Sequence, residues 1–178
     1  MPFLLKSDGD LSQISGLSSL TQLCCSGFKA NIGPLTYLAS LTTLDLNFFP
    51  DLSDLAPISG LTALTALDLS QCPNISDLRP LSGLSTLDSL NIKNCREIYD
   101  LAPLTVLASL RNLDCSSSSA RGLEIFPALT KLDCQECNSM TFFGPLPALV
   151  ILNCKWCPRL FDLTPLSRST ALTSLNCR

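Results

Sequence analysis

The sequence has 178 residues, 46% hydrophobic and 15% charged, so it has ample apolar side chain to bury and no signature of disorder. A formal net charge of −3, with no long Lys/Arg run, gives no electrostatic reason to expect nucleic acid or an anionic membrane as partner. Histidine is absent, which removes Ser-His-Asp and Cys-His catalysis, His-ligated zinc and H-E-x-x-H metalloprotease chemistry together. No phosphate-binding glycine loop occurs either, so neither enzymatic activity nor a cofactor is expected.

The opening Met1-Pro2-Phe3-Leu4-Leu5-Lys6 has too short an apolar stretch for a secretory signal, and the longest apolar run, Leu146 to Leu152, is too short to span a bilayer. A cytoplasmic protein is expected. By Asp10 the chain is already inside a pattern, because Asp10-Leu11-Ser12-Gln13-Ile14-Ser15-Gly16-Leu17 aligns with Asp54-Leu55-Ala56-Pro57-Ile58-Ser59-Gly60-Leu61.

From there one unit recurs, L-x-x-L-x-[L/I/C]-x-x-[C/F/S]. Its copies are Leu20-Leu23-Cys25-Phe28, Leu41-Leu44-Leu46-Phe49, Leu64-Leu67-Leu69-Cys72 and Leu87-Leu90-Ile92-Cys95. They continue as Leu110-Leu113-Cys115-Ser118, Leu129-Leu132-Cys134-Cys137, Leu149-Leu152-Cys154-Cys157 and a truncated Leu172-Leu175-Cys177. The second leucines are 21, 23, 23, 23, 19, 20 and 23 residues apart. Each unit predicts a short strand whose second leucine, and the apolar residue two places on, face the core. One such strand cannot cover its own apolar stripe, so the units must stack into a parallel sheet.

Between strands, Asp54-Leu55-Ala56-Pro57, Asp77-Leu78-Arg79-Pro80, Asp100-Leu101-Ala102-Pro103 and Asp162-Leu163-Thr164-Pro165 share the form D-L-x-P. Asp accepts the free N–H groups of a short helical turn and Pro fixes φ there, which predicts 3₁₀ turns and extended stretches on the return side. From Cys115 to Pro145 the unit shortens and this signature disappears, with Ser116-Ser117-Ser118-Ser119 its least apolar part; a change of curvature or a loop is expected.

These motifs resemble the leucine-rich repeat family across roughly residues 10 to 178. Asn74-Ile75-Ser76-Asp77-Leu78-Arg79-Pro80-Leu81 is similar to the short repeats of internalins and Sds22-like phosphatase regulators, with cysteine at several ninth slots where those repeats usually carry asparagine. The resemblance implies an α/β-type solenoid, a right-handed horseshoe with about eight short parallel strands on its concave face. Residues 1–178 then form one domain, with 1–16 a partial first repeat and 17–178 about seven full repeats plus a truncated last strand. It also implies protein recognition on the concave face. A recognition segment of a larger effector or of a phosphatase or cyclase regulator is the alternative.

Ten cysteines raise a thiol-based zinc or redox alternative, since Cys134-x-x-Cys137 and Cys154-x-x-Cys157 have the spacing of a structural zinc site. The repeat register places nine of the ten, all but Cys24, in apolar slots, so buried structural thiols and a reducing compartment are expected instead. On the strand face a column reads Cys24, Asp45, Asp68, Asn91, Asp114, Asp133, Asn153, Asn176, where carboxylates suit cations or basic peptides. Phe48 and Trp156 are candidate exposed anchors beside it, and Lys131, Lys155 and Arg178 make the C-terminal end more basic. Neither end of the array shows a polar cap, so either a longer protein or end-to-end self-association is expected.

Overall fold

A computed structural model describes residues 11–27 and 31–178. The chain start, Asp10 and the ninth-slot Phe28 lie outside the described residues.

Each predicted unit forms a three-residue strand. In chain order they are β1 (Gln22–Cys24), β2 (Thr43–Asp45), β3 (Ala66–Asp68), β4 (Ser89–Asn91) and β5 (Asn112–Asp114). Two further strands, β6 (Gly122–Leu123) and β8 (Phe142–Phe143), alternate with β7 (Lys131–Asp133), β9 (Ile151–Asn153) and β10 (Ser174–Asn176). β1, β2, β3, β4, β5, β7, β9 and β10 pair in that order as one eight-stranded parallel sheet. The pairing is in register throughout, so Leu23, Leu44, Leu67, Leu90, Leu113, Leu132, Leu152 and Leu175 stand in one line. All but Leu175 are buried. Alternation along the strand forces this: the leucine points inward, and its two neighbours point out.

Among the described residues the return side is helical only as 3₁₀ turns, at Leu11–Ile14, Gly33–Tyr37, Ala56–Ile58, Arg79–Gly83, Ala102–Leu104 and Thr164–Arg168. No helix among the described residues is long and apolar enough to cross a membrane. The aspartate of each D-L-x-P opens its turn as expected. Asp54, Asp77, Asp100 and Asp162 each accept the backbone N–H two residues on, at 2.8–2.9 Å. Proline follows in the first turn, where no N–H is needed.

Where the repeat shortens, the 3₁₀ turn gives way to a second, two-stranded parallel ladder of β6 on β8, with Gly122 opposite Phe142 and Leu123 opposite Phe143. Fewer residues leave no length for a turn, so the chain runs extended and still pairs its backbone. The serine stretch is ordered into this change: Ser116 and Ser118 are buried, with the Ser116 hydroxyl on Asp114 and the Ser118 hydroxyl near the Cys137 sulfur.

After each of the first seven main strands one residue takes a left-handed backbone: Gly27, Phe48, Gln71, Asn94, Ser117, Glu136 and Trp156, with φ between 53° and 74°. Each donates its N–H to a carbonyl of the next repeat. A left-handed conformation costs a residue with a Cβ about 1–2 kcal/mol, and the inter-repeat bonds hold it in place.

Candidate functional site

The strand face presents the same position of every repeat in straight columns. The column named from the sequence is real: Cys24, Asp45, Asp68, Asn91, Asp114, Asp133, Asn153 and Asn176 are consecutive register partners. Most of its hydrogen-bonding capacity is spent inside the fold. One oxygen each of Asp45, Asp68, Asn91, Asp114, Asp133 and Asn153 accepts the backbone N–H two residues on, which ends the strand and starts the turn. The second carboxylate oxygens of Asp68 and Asp133 take the side-chain amides of Asn91 and Asn153, at 2.9 and 3.0 Å. Asp45 Oδ2 takes the Cys24 thiol at 3.2 Å.

Asp114 differs. Its Oδ1 accepts both the N–H and the hydroxyl of Ser116, while its Oδ2 has no hydrogen-bond partner among the described residues. It lines a concave cavity of about 300 Å³ with Ser89, Asn91, Asn112, Lys131 and Asp133. The ion pairs among the described residues join Arg79 to Asp77 and Arg111 to Asp88, and neither involves an aspartate of the column.

Phe48 and Trp156 are exposed, at 51% and 58%, but they sit on the left-handed turn beyond the strand rather than on it. They follow β2 and β9, five strand spacings apart, or roughly 24 Å. The Lys155 ammonium lies 5.3 Å from the centroid of the Trp156 ring, a cation–π contact that orients both. Periodicity could name these residues as exposed but not their turn, because the left-handed backbone follows from the next repeat's carbonyls.

The cysteines serve two structural roles. Cys25, Cys115, Cys134 and Cys154 fill the inward slot after the strand and are buried. Cys72, Cys95, Cys137 and Cys157 form a ladder, each thiol donating to a carbonyl of the preceding repeat: Leu46, Leu69, Cys115 and Cys134, at 3.0–3.2 Å. The S–H thus supplies the donor for the Leu46 and Leu69 carbonyls in the core, and a second donor for the Cys115 and Cys134 carbonyls, which also accept the Ser118 and Cys137 N–H groups. The four candidate zinc ligands are divided between these roles, and no group of three or more Cys, Asp or Glu among the described residues is disposed to hold a metal ion. Burial pushes the Cys25, Cys95 and Cys154 thiols up to about 12 and Cys72 to about 11. A thiol reagent at pH 8 is expected to modify three thiols promptly, exposed Cys24 and Cys177 and half-buried Cys157, which hydrogen bonding with the Cys134 thiol holds down at about 7. The seven buried thiols should react only on unfolding, and a count of prompt thiols above three would contradict these roles.

The model of Zer-1-like leucine-rich repeats matches residues 55–132. No curated protein matches the chain in sequence. Among solved structures, the internalin C2 of Listeria monocytogenes superposes with a TM-score of 0.82 at 23% identity, over 98% of this chain and 79% of its own. The internalin inlF of the same species gives 0.65 at 22% identity, over 92% of this chain and 62% of its own. A chain of the mouse RP105/MD-1 complex gives 0.76 at 23%, over 98% and 33%. This chain thus spans less than two thirds of the inlF internalin, and at these identities the likeness is one of fold.

Proposed function

The chain is a leucine-rich repeat protein, and on that premise we propose that it is a non-catalytic module that binds another protein through its strand face. The observation that carries the reading is the concave cavity at the middle of the sheet, lined by Asp114, whose Oδ2 has no hydrogen-bond partner among the described residues, together with Lys131 and Asp133. Asp45, Asp68, Asn91, Asp133 and Asn153 are engaged by hydrogen bonds inside the fold. A partner that inserts a hydrogen-bond donor, such as a lysine, arginine or amide side chain, would complete Asp114. Phe48 and Trp156 would supply the large apolar contacts at the two ends of the sheet, the residue type that most often anchors an interface. The ten cysteines, seven of them buried as thiols, fit a reducing, cytoplasmic setting.

The test is capture from the source cell with wild-type protein and with Asp114→Ala, Trp156→Ala and Val106→Ser baits, followed by calorimetry on the captured partner. Val106 is exposed on the return side and serves as control. Asp114→Ala and Trp156→Ala are each expected to weaken binding by more than about 1 kcal/mol, while Val106→Ser leaves it unchanged. Loss in the control alone would move the interface to the return side.

A further inference from the structure

Two pairs of cysteines share one arrangement. In each, the ninth-slot thiol donates to the backbone carbonyl of an inward-slot cysteine one repeat earlier, Cys137 to Cys115 at 3.1 Å and Cys157 to Cys134 at 3.0 Å. The two sulfurs of each pair also hydrogen-bond to one another. Cys72 and Cys95 have no such partner, because the inward residues they donate to are Leu46 and Leu69.

The pairs differ in what surrounds them. Cys115 and Cys137 are both sealed, at 0% exposure. Cys134 is sealed as well, but Cys157 is half-buried and lines a cavity of about 480 Å³ beside the last strands, with Trp156, Leu160, Cys177 and Arg178. A small solute therefore reaches one cysteine of the second pair and neither of the first.

Cys157 is also the nucleophile of its pair. Hydrogen bonds from the Cys134 thiol and then from the Cys137 N–H hold its pKa at about 7, against the opposing effect of partial burial. The Cys134 thiol is pushed well up, by the hydrogen bond it shares with Cys157 and by burial. Near neutral pH the pair thus places a thiolate against a thiol, the state from which disulfides form. Sulfurs that share a hydrogen bond lie on converging side chains, as a disulfide requires.

We propose that Cys134 and Cys157 form a reversible disulfide when a hydroperoxide enters this cavity, a redox switch that ties two neighbouring repeats together. The Cys157 thiolate attacks one peroxide oxygen; an S–O bond forms, the O–O bond breaks, and the leaving hydroxide is protonated to water. The Cys134 sulfur then attacks the sulfenic sulfur. The S–S bond forms, the S–O bond breaks, and the hydroxyl leaves with the Cys134 proton as a second water. Two thiols lose two electrons, and one peroxide is reduced to two waters. An alkylating reagent, by contrast, caps Cys157 and leaves no group for Cys134 to displace. The switch does not depend on the strand-face reading.

The test is peptide mapping by mass spectrometry, with fragmentation to site each bond, after brief exposure of the folded protein to a small excess of hydrogen peroxide at neutral pH. A Cys134–Cys157 link should be the main intramolecular product and should disappear on treatment with dithiothreitol, with Cys115 and Cys137 recovered as free thiols. Cys157→Ser, a side chain that the same slot already holds at Ser118, should abolish the link. Cys134→Val, in a slot filled elsewhere by Leu46, Leu69 and Ile92, should leave Cys157 as a sulfenic acid that dimedone traps. The map of the unaltered protein decides the matter whether or not these variants fold. Cys157 recovered unoxidised, oxidised without being joined to Cys134, or linked to Cys154 or Cys177 instead would each overturn the proposal, as would a Cys115–Cys137 link of equal yield.

Discussion

Leu113→Ala is expected to lower the unfolding free energy by about 2–5 kcal/mol, read from chemical denaturation followed by circular dichroism. Leu113 lies in β5 with Leu90 and Leu132 as its register partners, and it is buried on every side. Removing its side chain leaves a cavity between two leucines that are themselves locked into strands, so collapse can recover little. Each repeat of a solenoid meets only its neighbours, so a defect at the middle also weakens the coupling between the two halves. The denaturation curve should broaden or split as well as shift. Leu175→Ala is the comparison: the same slot in the same motif, but half-exposed on β10, and its cost should fall well below that of Leu113→Ala. Equal losses at the two positions would mean that the leucine line is not the continuous core described above.

Gly144→Ala is expected to cost about 1–3 kcal/mol, the range for inserting an atom into packed structure that cannot yield. A Cβ at Gly144 would overlap the Glu124 carbonyl oxygen, which belongs to the backbone of the preceding repeat. Relief requires β6 and β8 to separate, with loss of the Gly144 N–H bond to the Leu123 carbonyl. Gly122 faces a different neighbour. A Cβ there would meet the Phe142 ring, which is partly exposed and free to rotate outward. Gly122→Ala should therefore cost less, and Phe142→Ala in the same chain should remove the penalty. Thermal unfolding of the four proteins checks both statements, and a Gly144→Ala variant as stable as the parent would refute the close approach of these strands.

Asp114 shows the limit of reading a column of like residues as a site. By sequence Asp45, Asp68, Asp114 and Asp133 are equivalent, and a row of carboxylates reads as a cation or basic-peptide surface. In the fold, three of the four pass their second oxygen to Asn91, Asn153 or Cys24. Which one is left over depends on what occupies the same slot in the neighbouring repeats and on side-chain rotation, neither of which a single repeat encodes.

The sequence by itself determined the repeat, the strand leucines, the burial of seven of the nine cysteines expected in apolar slots (Cys157 is half-buried and Cys177 exposed) and the aspartates that open the 3₁₀ turns. Each of these follows from a local rule, the alternation of a strand or the capping of a turn, applied every 19 to 23 residues. Tertiary structure alone decided three things. It set the left-handed turn that carries Phe48 and Trp156, because that conformation is held by hydrogen bonds to the next repeat. It turned the ninth-slot cysteines into a ladder of donors, because their acceptor carbonyls belong to the preceding repeat. It replaced the 3₁₀ turns by a second parallel ladder at β6 and β8, because two consecutive short repeats leave extended backbone whose N–H and C=O groups find partners only in each other.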